Sequence, residues 1–362
     1  MKETNNYLQK KILIIGPYPP PIGGLSIHLK RLGHFLMMNT KEEFAIFDDS
    51  KQGKAEIKKP PYLFSGSKVL FLLKLLLFGK NKIIHYHSHN WIIRFLLIII
   101  GKVKKSKVCF TFHSFRDEIE NFNFIKKGIV KSVLMLGDHF IAVGNNEKTK
   151  LIKFGCNHDK ITVIPAFIRP LDEDVIPKIV TDFLPAHEIV LTANASGIRF
   201  YKNEDLYGID MCIELLSSLR QQGIKAGFIF FLPQIENGKY FQRLKKEIKN
   251  LQLEDSFLFV TEKVEMFPII KLASIFIRPT NTDGDAISVR EALYFHIPTI
   301  ASDIVERPEG TIIFNTRDQD DLLTKVTEVI ENYNQFKSLL RDLGNNDYAE
   351  KVKRVYNTLL EK

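Results

Sequence analysis

KILIIGPYPPPIGGLSIHLKRLGHFLM, residues Lys11–Met37, decides the fold class. Lys11–Gly16 is an apolar run of strand length that ends on glycine. Pro19, Pro20 and Pro21 stiffen a turn that closes on Gly23 and Gly24. Beyond it, Leu25, Leu29, Leu32 and Leu36 recur at the spacing of one helix face. Strand, glycine-bearing turn and helix make one α/β unit.

The alternation continues along the chain. Strand-like runs follow at Lys82–His87 (KIIHYH), Lys107–His113 (KVCFTFH), His139–Gly144 (HFIAVG) and Lys160–Ala166 (KITVIPA). Between the last two, NNEKTKLIKFG opens on an asparagine cap and closes on Gly155. Residues 169–187 hold Pro170, Pro177 and Pro185 among several acids and read as an interdomain linker. The pattern then restarts. EIVLTANA, KAGFIFFLP, SFLFV, SIFIRPT and TIASD are strand-like, with helical segments such as GIDMCIELLSSLRQQG between them. A late helix runs through DQDDLLTKVTEVIENYNQFKSLL, and NDYAEKVKRVYNTLLEK is a separate amphipathic helix. This predicts an α/β fold of two Rossmann-like domains in tandem, residues 1–168 and 188–344, each with a mostly parallel sheet covered on both faces. Residues 345–362 form the terminal helix.

At 362 residues the chain exceeds one ordinary core. Its 45% hydrophobic and 26% charged content predicts folding rather than disorder. A net charge of +9 favours a phosphorylated ligand or an acidic membrane surface. Nucleic acid is set aside, because the cations are dispersed and no recognised motif gathers them. Cys109, Cys156 and Cys212 are scattered, which argues against a disulfide framework or a zinc site and points to a reducing compartment. The first ten residues, MKETNNYLQK, lack the apolar core of a signal peptide. Two apolar runs, Val69–Phe78 (VLFLLKLLLF) and Trp91–Ile100 (WIIRFLLIII), each carry a basic residue. Each is about half of the roughly 20 residues that a spanning helix needs. They read as buried helices of the α/β layer. The alternative is partial seating in a membrane interface, anchored by the lysines that flank them.

Ligands of doubly wound domains bind at the carboxyl ends of the strands, so residues just after strands are the informative ones. NTDGDAISVREAL, Asn281–Leu293, follows the strand SIFIRPT. A helix starting near Ala286 leaves the N–H groups of Ala286, Ile287 and Ser288 free to meet an anion. Asp283 and Gly284 precede that start, and Glu291 lies in the second turn, so both carboxylates can face one ligand. Asp285 also reads as a plain N-cap. A metal-binding reading of Asp283-Gly284-Asp285 rests on the affinity of hard cations for paired carboxylates.

Four other places qualify. Gly23 and Gly24 allow close backbone approach to a phosphate, although most glycine pairs are only turns. His85, His87 and His89 share one face of an extended chain. They read as cleft-lining histidines, since no carboxylate or thiolate accompanies them to complete a metal site. His113 ends the strand KVCFTF, where a core histidine is the plain alternative. Arg199 and Lys202 lie in the loop after EIVLTANA, as ligand-binding or merely solvated cations.

Asp283, seven residues, then Glu291, after a strand ending in proline and before PTIASD, resembles the E-x7-E signature of glycosyltransferase family 4, the retaining GT-B enzymes. The Gly23-Gly24 turn, His85-Tyr86-His87 and Thr111-Phe112-His113 match the family in order and spacing. The first glutamate of the signature is Asp283 here, and its second glycine is Ala286. Tyr207 stands where the family usually has lysine before a glycine, here Gly208. The resemblance implies that Asp283 approaches hydroxyls of the donor sugar, Glu291 holds the ribose, and Gly23 and Gly24 cover the donor diphosphate. It implies that His113 lies beside the transferred sugar and that the terminal helix packs back on the first domain. Arg199 and Lys202 are the candidates for the missing cations.

The expected activity is a retaining transfer of a sugar from a nucleotide-diphosphate sugar to a saccharide acceptor, lipid-linked in a bacterial surface-polysaccharide pathway. The donor would bind the second domain and the acceptor the first, with no metal and no other cofactor. The expected location is the cytoplasm, with peripheral contact at the inner face of an anionic membrane. Two rivals share the architecture: a nucleotide-sugar 2-epimerase, and a non-catalytic nucleotide-sugar-binding partner of another transferase.

Overall fold

A computed structural model describes residues 7–19, 23–50, 62–114, 119–170, 175–341, 343 and 348–361. The chain divides into two compact units, Met1–Leu171 with Asp347–Lys362, and Asp172–Asn346. The middle of the proline turn (20–22), part of the expected linker (171–174), the expected end of the second domain (344) and the expected start of the terminal helix (345–347) lie outside the described residues.

Seven parallel strands form the first sheet: β1 (Ile12–Gly16), β2 (Phe44–Asp48), β3 (Tyr62–Ser65), β4 (Ile83–Tyr86), β5 (Lys107–Phe112), β6 (His139–Ala142) and β7 (Ile161–Val163). Their order is β3-β2-β1-β4-β5-β6-β7, so the winding reverses between β1 and β4. Side chains alternate across the sheet. Leu13, Ile15, Ile84, Tyr86, Phe110 and Phe112 enter one apolar cluster. Ile12, Ile14, Ile83 and Cys109 enter another, shared with α1 (Gly24–Asn39) and the terminal helix, Tyr348–Glu361. Strands buried on both faces need near-continuous apolar sequence, which is why these segments could be recognised.

The helices α2 (Lys68–Phe78), α3 (Trp91–Lys104) and α4 (Phe124–Leu136) link β3 to β6 in succession, and α5 (Asn145–Lys153) precedes β7. The two apolar runs are helices as expected, but their full burial is corrected. In α2 only Phe71 and Leu75 are buried. In α3 the basic residue is itself part of the core: the Arg94 guanidinium lies 3.9 Å from the Phe112 ring centre, and its Nη2 donates to Ser88 O at 3.0 Å. Among the described residues, no helix is long and apolar enough to cross a membrane.

The second unit opens with α6 (Lys178–Phe183), inside the segment expected to be linker. Val180 of this helix is fully buried in a cluster with Val190, Ile229 and Val260, so this part of the segment belongs to the second unit. Six parallel strands follow: β8 (Ile189–Asn194), β11 (Ala226–Phe231), β12 (Phe257–Val260), β13 (Ile275–Arg278), β14 (Thr299–Ser302) and β15 (Thr311–Phe314). Their order is β12-β11-β8-β13-β14-β15, and the winding reverses between β8 and β13. A small hairpin, β9 (Phe200–Tyr201) with β10 (Glu204–Asp205), leaves the carboxyl side of β8. The helices are α7 (Ile209–Gln221), α8 (Gly238–Asn250), α9 (Phe267–Ile270), α10 (Ile287–Tyr294), α11 (Gln319–Glu331) and α12 (Tyr333–Arg341). The terminal helix, α13, returns to the first unit. Gly208 caps α7 in the left-handed region, φ +64°, and a Cβ there would lie 2.5 Å from Pro279 O. Glycine is therefore required where α7 starts beside β13.

Candidate functional site

Both reversal points carry the residues singled out above. In the second sheet, Asn194 ends β8 and Arg278 ends β13, on the face shared with Val190 and Phe276. Arg278 grips Asp283 with two bonds, Nε to Oδ2 at 2.9 Å and Nη2 to Oδ1 at 3.1 Å. Its Nη1 donates to Asn194 O at 3.0 Å. Arg307 Nη1 donates to Asp283 Oδ2 at 3.0 Å, as does Thr280 Oγ1 at 3.1 Å. The N–H of Gly284 fills Oδ1 at 3.0 Å. Burial opposes the charge on Asp283, but Arg278 and then Arg307 outweigh it and hold the carboxyl well below the usual carboxylate range.

This corrects the expectation that Asp283 faces sugar hydroxyls. Its oxygens are taken by protein donors, and its side chain is 6% exposed. Gly284 likewise spends its N–H on Asp283. Two guanidinium groups against one carboxylate leave a positive charge at the strand ends.

Helix α10 begins at Ile287 with Ala286 as N-cap, and no side chain caps it. Asp285 therefore does not serve as the cap; it pairs with Arg290. Ser288 turns its hydroxyl to Asn194 Oδ1 at 2.9 Å, which ties the helix start to β8. Glu291 is buried one turn into the helix, 4% exposed. Arg199 and Lys202 stand apart from this cluster's hydrogen bonds. Arg199 is half-exposed, 3.6 Å from Glu236, and Lys202 is in the two-residue turn of the β9–β10 hairpin with φ 51°. Tyr207, in the place of the family's lysine, is buried under Arg278, whose guanidinium is 5.3 Å from the ring centre. Arg278 and Arg307 were missed from sequence. For Arg278 the available signal was a cation at the last position of an apolar strand; Arg307, five residues beyond β14, had none.

In the first unit the histidines divide. His85 shares the α13 face of β4 with Ile83. It is fully buried, with Nδ1 2.7 Å from Tyr356 Oη and Nε2 2.7 Å from Thr111 Oγ1. Its expected role as a cleft residue is corrected: both ring nitrogens serve the core. His89 falls beyond the strand, where the chain turns toward α3, and is exposed. His87 and His113 do come together, Nδ1 to Nε2 at 3.1 Å. They are joined by His28 of α1, which the sequence reading did not single out. One ring nitrogen from each of these three lies within 4.8 Å of the other two.

Gly16 makes this approach feasible, since a Cβ there would lie 2.9 Å from Leu29 Cδ2 and 3.1 Å from His87 Cβ. His28 Nδ1–H donates to Ala166 O at 2.6 Å, so Nε2 is its acceptor nitrogen. Burial, before any charge effect, lowers the pKa of His28 to about 4 and those of His87 and His113 well below the ordinary value. The cluster is therefore neutral near pH 7, suited to exchanging hydrogen bonds with hydroxyls rather than to supplying charge. At the mouth of β1, Gly23 has an extended backbone, φ −168°, and open space where a Cβ would sit. Its N–H donates to Ser26 Oγ at 3.0 Å.

Residues 22–170 match the family model described as Glycosyltransferase Family 4, and residues 203–350 match the model Glycosyl transferases group 1. No curated protein matches the sequence. Among solved structures, the chain is similar to a glycosyltransferase from Rickettsia africae ESF-5, with a TM-score of 0.74, 15% identity, and coverage of 98% of this chain and 99% of that one. It is similar to Anabaena HepE in complex with UDP, with a TM-score of 0.68, 13% identity, and coverage of 97% and 100%. The lipopolysaccharide outer core galactosyltransferase WaaB gives a TM-score of 0.61 and 14% identity over 96% and 99%. At these identities the structures speak for the fold, and the two family models, matched in order on the two units, speak for the activity. The chain is a glycosyltransferase of GT-B type.

Proposed function

We propose that the enzyme transfers a sugar, with retention of configuration and without a metal, from a nucleoside-diphosphate sugar to a lipid-linked saccharide in bacterial surface-polysaccharide assembly. The second unit takes the donor and the first the acceptor. One observation carries this reading: the uncapped start of α10, one turn before the buried Glu291, is tied through Ser288 and Asn194 to Arg278 of the cationic cluster at the β8–β13 reversal point. The N–H groups of Ile287 and Ser288 suit a phosphate, Glu291 suits the ribose hydroxyls, and the field of Arg278 and Arg307 suits charge developing on the departing diphosphate. Arg199 and Lys202, at the exposed hairpin, would add to that field. Asp283 acts through the two arginines rather than on the sugar. A carboxylate filled by two guanidinium groups is a poor nucleophile, which fits retention by same-face attack. On the first unit, open space beside Gly23 leaves its backbone approachable, and neutral His113 would hydrogen-bond a hydroxyl of the bound saccharide. UDP bound to Anabaena HepE supports a uridine nucleotide as the first donor to try, and the WaaB likeness supports a glycolipid acceptor.

The test is release of nucleoside diphosphate from a panel of nucleotide sugars, in EDTA, with and without a bacterial lipid extract. Release that depends on lipid is the expected outcome. Glu291→Gln should lower kcat/KM by about 10–100-fold, the scale of one lost charged hydrogen bond. Conversion of the donor to an epimer without acceptor, or loss of activity in EDTA, would overturn the reading.

A further inference from the structure

We propose that α2, α3 and α4 together form a surface that seats the first unit on an anionic lipid bilayer. The inference deepens the reading of a lipid-linked acceptor and can fail without it. The three helices neighbour one another in succession, α2 against α3 and α3 against α4, on the same side of the sheet. Each turns large apolar side chains outward. In α3, Ile92, Leu96, Ile99 and Val103 recur at helical spacing and are 37–64% exposed. In α2, Leu73 and Leu77 are 52% and 64% exposed. In α4, Phe124 is 89% exposed and Ile125 72%. Scattered apolar residues are ordinary on a protein surface, but a contiguous set across three helices is not.

Charge identifies what covers it. None of the three helices contains an acidic residue. Lysines surround the apolar stripes: Lys68 where α2 starts, Lys102 and Lys105 at the end of α3, and Lys126, Lys127 and Lys131 on α4, all exposed. Long lysine stems can lie along the acyl boundary while their ammonium groups reach phosphate, the pattern of an interfacial element. A second copy of this chain, paired through the same face, would set lysine against lysine with no acid on the three helices to answer it. A lipid surface meets both the apolar area and the charge.

The full-length protein is sedimented with vesicles of phosphatidylcholine alone, and with vesicles containing phosphatidylglycerol. Binding to the anionic vesicles, weakened by salt, is expected. Replacing Leu77, Val103 and Phe124 together by serine should reduce partitioning by tenfold or more. Replacing Lys102, Lys127 and Lys131 by glutamine should reduce it about fivefold for each lysine removed. All six side chains are exposed, so the fold should survive, which the urea midpoint of Trp91 fluorescence, a reporter within the first unit, checks independently for each variant. Equal binding of wild type and variants, no binding to anionic vesicles, or a dimer that Phe124→Ser disrupts would each overturn the surface. Vesicle binding without any lipid-dependent nucleotide release would leave the surface standing and overturn the glycolipid acceptor.

Discussion

Asp283→Asn is expected to lower the stability of the second unit by about 3–5 kcal/mol, the cost of stripping the partner from buried charges. The asparagine keeps the shape and removes the charge. Arg278 and Arg307, whose side chains are 9% and 2% exposed, would then face each other without the carboxylate that bonds both, with Asp285 acting on Arg307 only through its field. Against a usual total of about 5–15 kcal/mol, this is enough to unfold a large fraction of the unit. The readout can be specific. The single tryptophan, Trp91, lies in the first unit, so the loss should appear in far-UV circular dichroism at lower urea while tryptophan fluorescence keeps its midpoint. An unchanged dichroism midpoint would mean that the arginines find solvent or another partner. The contribution of wild-type Asp283 is present above its unfolded pKa. Because the folded pKa is depressed, it is lost only as the pH falls below the usual carboxylate range. Mild acid should therefore leave the second unit intact.

The first unit should behave in the opposite way. His28, His85 and His87 are buried and neutral, with pKa values lowered by burial to about 4 for His28, to about 3 for His85, and well below the ordinary value for His87. Once unfolded, each takes up a proton near pH 6.5. Between there and about pH 4 the unfolded chain binds more protons than the fold, so stability falls as the pH falls. Each group contributes about 1.4 kcal/mol per pH unit, and three together about 4 kcal/mol. Above pH 7 they contribute no slope. Trp91 fluorescence during urea unfolding at pH 7.5, 6 and 5 should show a steep loss, to which His113 adds in the same direction, and His28→Gln should make it shallower. A flat midpoint down to pH 5 would show that these rings are protonated within the fold.

What could be read from sequence follows from which interactions are local. β1, β4, β5, β8 and β13 are buried on both faces, so their apolar runs announced them. The start of α10 was legible because a turn, a strand end and a helix period met there. The β9–β10 hairpin, only two residues on each strand, gave no periodic signal. The pairing of Arg278 and Arg307 with Asp283 depends on β13 and the segment after β14 lying side by side. No spacing along the chain encodes that. His28 was hidden among the leucines of α1 for the same reason: its partners come from β4 and the strand before His113. The apolar runs of α2 and α3 announced helices, but an all-apolar helix has no period to say which face stays uncovered.

The helix α13 comes from the last residues of the chain, yet it belongs to the first unit, where Tyr356 closes over His85. During synthesis the first unit must wait for its final helix until the whole intervening unit has been made. At about 5–20 residues per second that delay is roughly 10–35 s. Through it, the α1 face of the first sheet, with Leu29, Leu32 and Leu36, lacks its cover on the ribosome. The second unit, built from one uninterrupted segment, is thus expected to mature first, against the usual N-to-C order. Chains stalled just before α13 should be cleaved by protease in the first unit and spared in the second.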